Sequence, residues 1–229
     1  MKKCFLILLT VCAVQTSYSQ TEKGKMFIGG QVTLSGNTTS NSDTSYKSDN
    51  NSIGFTVAPN FGYFIMDNFA IGANVNLGVS NSTQKQDYPN QTPSEYTYKY
   101  NTLSFGIGGF ARYYINITDN FKFYFNGGIN YLHQTKKTTY SNNDPNYVYS
   151  TSNPANQVTP INNISLFISP GLVYFVTPKI GIQAAFGNIN YSYSSSKNTS
   201  LTYANHSNSS SFGVNLNLSA FALGLNYYF

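Results

Sequence analysis

A general base for nucleophilic catalysis would have to come from His133 or His206, the two histidines of the 229-residue chain. His133 could stand beside Asp144 or one of many nearby serines, the arrangement that activates a hydroxyl. Serine is so abundant around both histidines that such proximity selects no nucleophile, and no catalytic residue is assigned. The acids Asp43, Asp49, Asp87, Glu95 and Asp144 lack the spacing of a calcium loop, so neither a metal nor another cofactor is expected. Two cations, Arg112 and Lys122, could attract anions if they face an enclosed space. Tyrosines spaced two apart, Tyr96, Tyr98, Tyr100 and Tyr147, Tyr149, stand among Ser and Asn, the composition of adaptable binding surfaces, and their period of two predicts that the neighbouring strands run on through them.

The elements that would position these groups begin after residue 19. Met1-Lys2-Lys3 is basic, Cys4 to Val14 is an apolar run of eleven, and Ser17-Tyr18-Ser19 supplies small residues. That order is a secretory signal peptide over residues 1–19, with cleavage expected before Gln20. The apolar run is too short for a helical span, which needs about 20 residues. Cys4 and Cys12 leave with it, so thiol, disulfide and Cys-metal chemistry are not expected in the mature chain. Losing Lys2 and Lys3 leaves 11 basic against 8 acidic residues, with no basic run longer than Lys136-Lys137, so no nucleic-acid partner is expected.

Charged residues make up 9% of the sequence, against about 25% in an ordinary soluble domain. With 41% hydrophobic residues, 20 Tyr and 17 Phe, the chain has the apolar content to fold. Period two predicts eight strands, near 26–35, 53–63, 69–79, 103–113, 121–131, 164–176, 180–186 and 212–229. Parity slips near Gly187 to Ile189 and again between Leu218 and Phe221, where a one-residue bulge would restore it. Short connections at Met66 to Asn68, Asn116 to Asn120 and Thr177 to Lys179 alternate with long polar ones near 36–52, 81–101, 134–162 and 194–210. In an up-and-down sheet all short turns then fall at one end and all long loops at the other.

One parity carries Ile, Leu, Val, Phe and Tyr; the other carries Gln31, Thr33, Asn60, Asn74, Asn126, Asn130 and Gln183 among glycines. Small neutral groups suit a narrow lumen, and the apolar parity suits lipid, with aromatic pairs beside each short turn as a girdle. Backbone groups in lipid must be paired, so the sheet must close. The expected fold is all-β: an eight-stranded antiparallel up-and-down transmembrane β-barrel over residues 20–229, both ends at the short-turn side.

The chain resembles small outer-membrane β-barrels of the OmpA/OmpX type from Gram-negative bacteria. Gly224, Tyr227 and Phe229 match the Gly-x-x-aromatic-x-aromatic ending that such proteins present to the barrel-assembly machinery. The resemblance implies location in the outer membrane, outer-membrane lipid as surroundings and a monomer; the sequence departs from OmpA itself in showing no periplasmic peptidoglycan-binding domain, so cell-wall anchoring is not expected. It implies a scaffold that contacts its surroundings, including an unidentified extracellular ligand, through long loops. A narrow channel for small solutes ranks second, and an enzyme modifying lipid A third. Inward positions near the short turns carry Phe64, Phe110, Arg112, Tyr114, Lys122, Tyr124 and Phe175, an expected lumen constriction. The two cations there are expected to reach water or the turn acids Asp67 and Asp119.

Overall fold

In the computed structural model the described residues are 20–43, 45–89, 94–143, 156–198, 205–215 and 221–229; the expected signal peptide lies outside them. Ten strands follow one another: β1 (Met26–Asp43), β2 (Tyr46–Met66), β3 (Phe69–Asp87), β4 (Glu95–Asn116), β5 (Phe121–Asn142), β6 (Asn156–Thr177), β7 (Ile180–Phe186), β8 (Asn188–Asn198), β9 (Asn205–Asn215) and β10 (Phe221–Tyr228). All pairings are antiparallel. Each of β1 to β6 is paired to the next, β6 to both β7 and β8, and β10 to both β7 and β1. Since β8 prolongs β7 and β9 lies above β10, the ring has eight staves, and it closes where Phe27 to Val32 pair with Tyr228 to Leu223. Closure leaves no edge in the lower half to be satisfied by anything but the chain itself.

The break between β7 and β8 is a bulge. Gly171 pairs with Ala185 and Ile168 with Ile189, so four steps on one strand oppose three on the other. Gly187 takes the extra place at φ 68°, a left-handed conformation open to glycine, and Ser169 Oγ donates to its carbonyl at 2.9 Å. The second expected bulge, between Leu218 and Phe221, falls among residues outside the described set; on either side of it Asn215 opposes Asn188 and Phe221 opposes Phe186.

Alternation sets the two faces. Ile28, Leu77, Ile107, Ile129, Leu166 and Leu225, for example, are all about half exposed on the outer wall, where a soluble barrel would show charge. The short turn between β2 and β3 is made by Asp67 and Asn68, with Asn68 at φ 60°, a conformation Asn tolerates better than most residues.

The long polar connections are corrected by the structure, since most of their residues are strand. β1 and β2 stay paired up to Asp43↔Tyr46, β3 and β4 up to Asp87↔Glu95, β5 and β6 up to Thr139↔Asn156, and β8 and β9 up to Asn198↔Asn205. Tyr147 and Tyr149 lie outside the described residues. On β4 the outward apolar positions end at Leu103, leaving Glu95 to Thr102 beyond the band. At about 3.4 Å per residue and a tilt near 40°, that is roughly 20 Å of paired sheet standing clear of the hydrocarbon.

Candidate functional site

The lower lumen is filled. Phe27, Phe64, Ala70, Phe110, Tyr114, Tyr124, Val173, Phe175 and Tyr228 form one buried cluster, contributed by β1 to β6 and β10. Its rings touch in sequence around the lumen: Phe27 and Phe64 at 5.8 Å between centroids, Phe64 and Tyr114 at 5.6 Å, Tyr114 and Tyr124 at 5.9 Å, Phe175 and Tyr228 at 5.0 Å. Inward glycines make the room. A Cβ on Gly62 would clash with the edge of the Phe27 ring, one on Gly72 would meet Phe110, and one on Gly171 would meet Tyr124.

Two cations sit in this floor at different levels. Arg112 is 3% exposed and framed by rings, with its guanidinium carbon 4.5 Å from the Tyr124 centroid, 5.3 Å from Phe110 and 5.4 Å from Phe27. Its Nη1 donates to Gln183 Oε1 at 2.9 Å and to Tyr114 Oη at 3.4 Å, and its Nε to Asn126 Oδ1 at 3.3 Å. Asn226 Nδ2 donates to the same Gln183 oxygen at 3.0 Å, which fixes that amide with Nε2 buried and unpartnered. Lys122, four positions nearer the short turns, donates to Asn116 Oδ1 at 2.7 Å and to Thr21 Oγ1 at 2.9 Å. Arg112 therefore faces rings and amides in place of the water or turn acids expected of it, while Lys122, buried against Thr21 and two asparagines, lies near enough to Asp119 to interact with its charge.

Thr21 seals the short-turn mouth. It is fully buried, its carbonyl accepts from Asn68 N at 2.7 Å, and its hydroxyl donates to Asn68 Oδ1 at 2.6 Å. Gly24 N donates to Phe64 O at 2.8 Å and Lys23 N to Asp67 Oδ1 at 2.8 Å, so the segment before β1 is strapped across the opening.

Above the floor the wall turns small and neutral. A cavity of about 450 Å³ is lined by Arg112, Tyr124, Phe110, Asn60, Asn74, Asn130 and their neighbours. A second of about 270 Å³ continues from Asn76, Asn130 and Ser165 up past Ser104 and Gln134. A third of about 400 Å³ opens among Tyr98, Tyr100 and Tyr140 at the long-strand end. There the rings of Tyr46, Tyr88, Tyr96, Tyr140, Tyr98 and Tyr100 form a continuous ladder with centroids 5.1 to 6.4 Å apart. Lys136 Nζ lies 4.2 Å from the Tyr100 centroid, and burial pushes the Tyr100 hydroxyl's pKa up. On the same rim Ser40, which donates to Asp49, and Lys47, 3.2 Å away, hold the Asp49 carboxyl below its ordinary value.

Of the residues singled out from sequence, Phe64, Phe110, Arg112, Tyr114, Lys122, Tyr124 and Phe175 are all buried in or against the floor. Gly224 lies on β10 where a Cβ would press on Gln183 Nε2 at 2.7 Å, while Tyr227 and Phe229 stack outward with centroids 6.0 Å apart. Phe27, Tyr228, Gln183 and Thr21 complete the floor without having been singled out for it. His133 Nδ1 lies 2.8 Å from Asn162 Oδ1, and among the described residues neither histidine bonds a Ser hydroxyl or a carboxylate. No described group of three His, Cys, Asp or Glu could hold a metal.

The profile of the outer membrane protein beta-barrel domain matches residues 4–229. The chain belongs to this family. It is therefore a protein of the Gram-negative outer membrane. No curated protein matches it. Solved structures similar to it include OprG from Pseudomonas aeruginosa at 14% identity, with 93% of this chain and 99% of that one covered and a TM-score of 0.47. The neisserial surface protein NspA follows at 14% identity, 90% and 100% coverage and 0.38, and Ail of Yersinia pestis at 14%, 90% and 99%, and 0.34.

Proposed function

We propose that this barrel is a closed scaffold that carries a rigid recognition rim above the outer membrane. The observation that carries the reading is the continuation of strand pairing past the apolar band, up to Asp87↔Glu95 on β3 and β4, with a tyrosine ladder across β2 to β5. Tyrosines held on paired strands present large amphipathic contact area with little entropy to lose on binding. The floor of rings and two long cations interrupts the water column, which argues against free diffusion through the lumen. On this reading the barrel works as a monomer in lipid, and Gly224, Tyr227 and Phe229 serve the assembly machinery during insertion. Gly224 also keeps space for the Gln183 amide.

The test is conductance of the purified barrel in planar bilayers, alongside a variant whose strands are joined by short turns just above Leu103 and its neighbours. The reading expects no stable openings from either protein. Stable openings that persist in the shortened variant would make a small-solute channel the main role.

A further inference from the structure

The one arginine of the sequence is buried in the lumen, on the floor of an outward-facing cup, without an acid. We propose that this cup binds a small carboxylate, seated on the Arg112 guanidinium. A guanidinium stays charged at every physiological pH, so burial cannot be relieved by losing the proton. Buried charges are ordinarily paired, yet the partners of Arg112 are two amides, a phenol and ring faces, all neutral. The ion pair of Lys47 with Asp49 stands far off, on the rim. The second floor cation, Lys122, adds charge of the same sign.

Donors are left over at this point. Nη1 and Nε are engaged, but Nη2 makes no hydrogen bond among the described residues, and Arg112 lines the cavity of about 450 Å³. Tyr124 lines it too, 1% exposed and with its hydroxyl unpartnered. The rings of Phe27, Phe110 and Tyr124 hold the guanidinium plane, so an anion meets the free Nη2 at a fixed direction, where a carboxylate oxygen can accept a charge-assisted hydrogen bond. The wall above is amide and hydroxyl, without a charge of either sign on Asn60, Asn74, Asn130 or Ser165. The continuing cavity gives access from outside, while Thr21 and the rings below make the site a dead end. Binding there does not depend on what the rim recognises.

The experiment is a titration of the full-length mature barrel in lipid nanodiscs, labelled with ¹⁵N-arginine. Because the sequence has one arginine, the side-chain Nε–H signal belongs to Arg112. Sodium acetate at constant ionic strength should shift that signal saturably in the millimolar range, and neutral acetamide should leave it in place. In Arg112→Lys, read through the Asn126 side-chain amide, the half-saturating acetate concentration should rise about tenfold or more. The wild-type titration decides the matter even if Arg112→Lys fails to fold. No saturable shift up to 100 mM acetate, or the same shift with acetamide, overturns the proposal. A saturable response to inorganic phosphate but not to acetate overturns the assignment to a carboxylate.

Discussion

Replacing Gly62 by alanine should destabilise the barrel far more than an extra methyl group ordinarily does on a strand. The new Cβ would lie 2.2 Å from Cε1 and Cζ of the Phe27 ring and 3.0 Å from its Cδ1. Carbon atoms pack at about 3.5 to 4.0 Å, so the ring must retreat by on the order of 1 Å. It has nowhere to go: it is fully buried, 5.4 Å from Tyr228, 5.8 Å from Phe64 and 5.4 Å from the Arg112 guanidinium. Overpacking of this kind costs about 1–3 kcal/mol, a factor of roughly 5 to 150 in the unfolding equilibrium. The assay is urea unfolding in phospholipid vesicles, compared at unchanged slope. Gly127→Ala is the control, since its Cβ would meet nothing nearer than 3.6 Å and should be neutral or slightly stabilising. In a Phe27→Leu background the Gly62→Ala penalty should shrink, giving a coupling of about 0.5–3 kcal/mol. If Gly62→Ala matched Gly127→Ala within about 0.5 kcal/mol, or cost as much over Leu as over Phe, the ring-over-glycine packing would be refuted.

Lys122→Met removes the ammonium that ties Thr21 and Asn116 together, so amide exchange should accelerate at Gly24 and Asn68, whose N–H groups bond Phe64 and Thr21; unchanged exchange there would contradict the strap. Tyr114→Phe should cost about 1 kcal/mol in the same urea assay, because its hydroxyl accepts from Arg112 and pairs with Tyr228, whereas Tyr124→Phe, which loses an unpartnered hydroxyl, should cost less than half of that. Tyr140→Ser, at a 4% exposed position between Tyr96 and Tyr98, should raise amide exchange along the upper β4 and β5 while leaving exchange at Phe110 and Tyr124 unchanged.

Alternation made the barrel readable because each strand has one lipid face and one lumen face, and those two environments select different residues. The same signal fades where both faces are wet, which is why the Ser, Asn and Thr stretches above Leu34, Val79 and Leu103 read as loops although they are paired strand. Parity also separates inward Phe64, Tyr114 and Tyr124 from their outward neighbours. It does not tell which inward rings converge, since that depends on the β1–β10 closure that brings Phe27 opposite Tyr228. Thr21 precedes every strand and belongs to no period, so nothing local announces its burial. The surroundings of Arg112 escaped reading for a related reason: Gln183 lies 71 residues away in sequence and meets it only across the lumen.

On the proposed reading the lumen is a cup, closed toward the periplasm and open outward. Side-specific thiol reactivity decides between a cup and a through-pore, because Cys4 and Cys12 both fall within the expected signal peptide. Asn126→Cys places a thiol on the cavity wall beside Arg112, and Asn116→Cys places one below the floor beside Lys122. Silver ions, small enough to follow water, are added to one face of oriented vesicles, and surviving thiols are then counted with a maleimide after denaturation. Silver from outside should block Asn126→Cys and spare Asn116→Cys, and silver from the periplasmic face should do the reverse. Equal blocking of both positions from either side would mean that water runs through the floor.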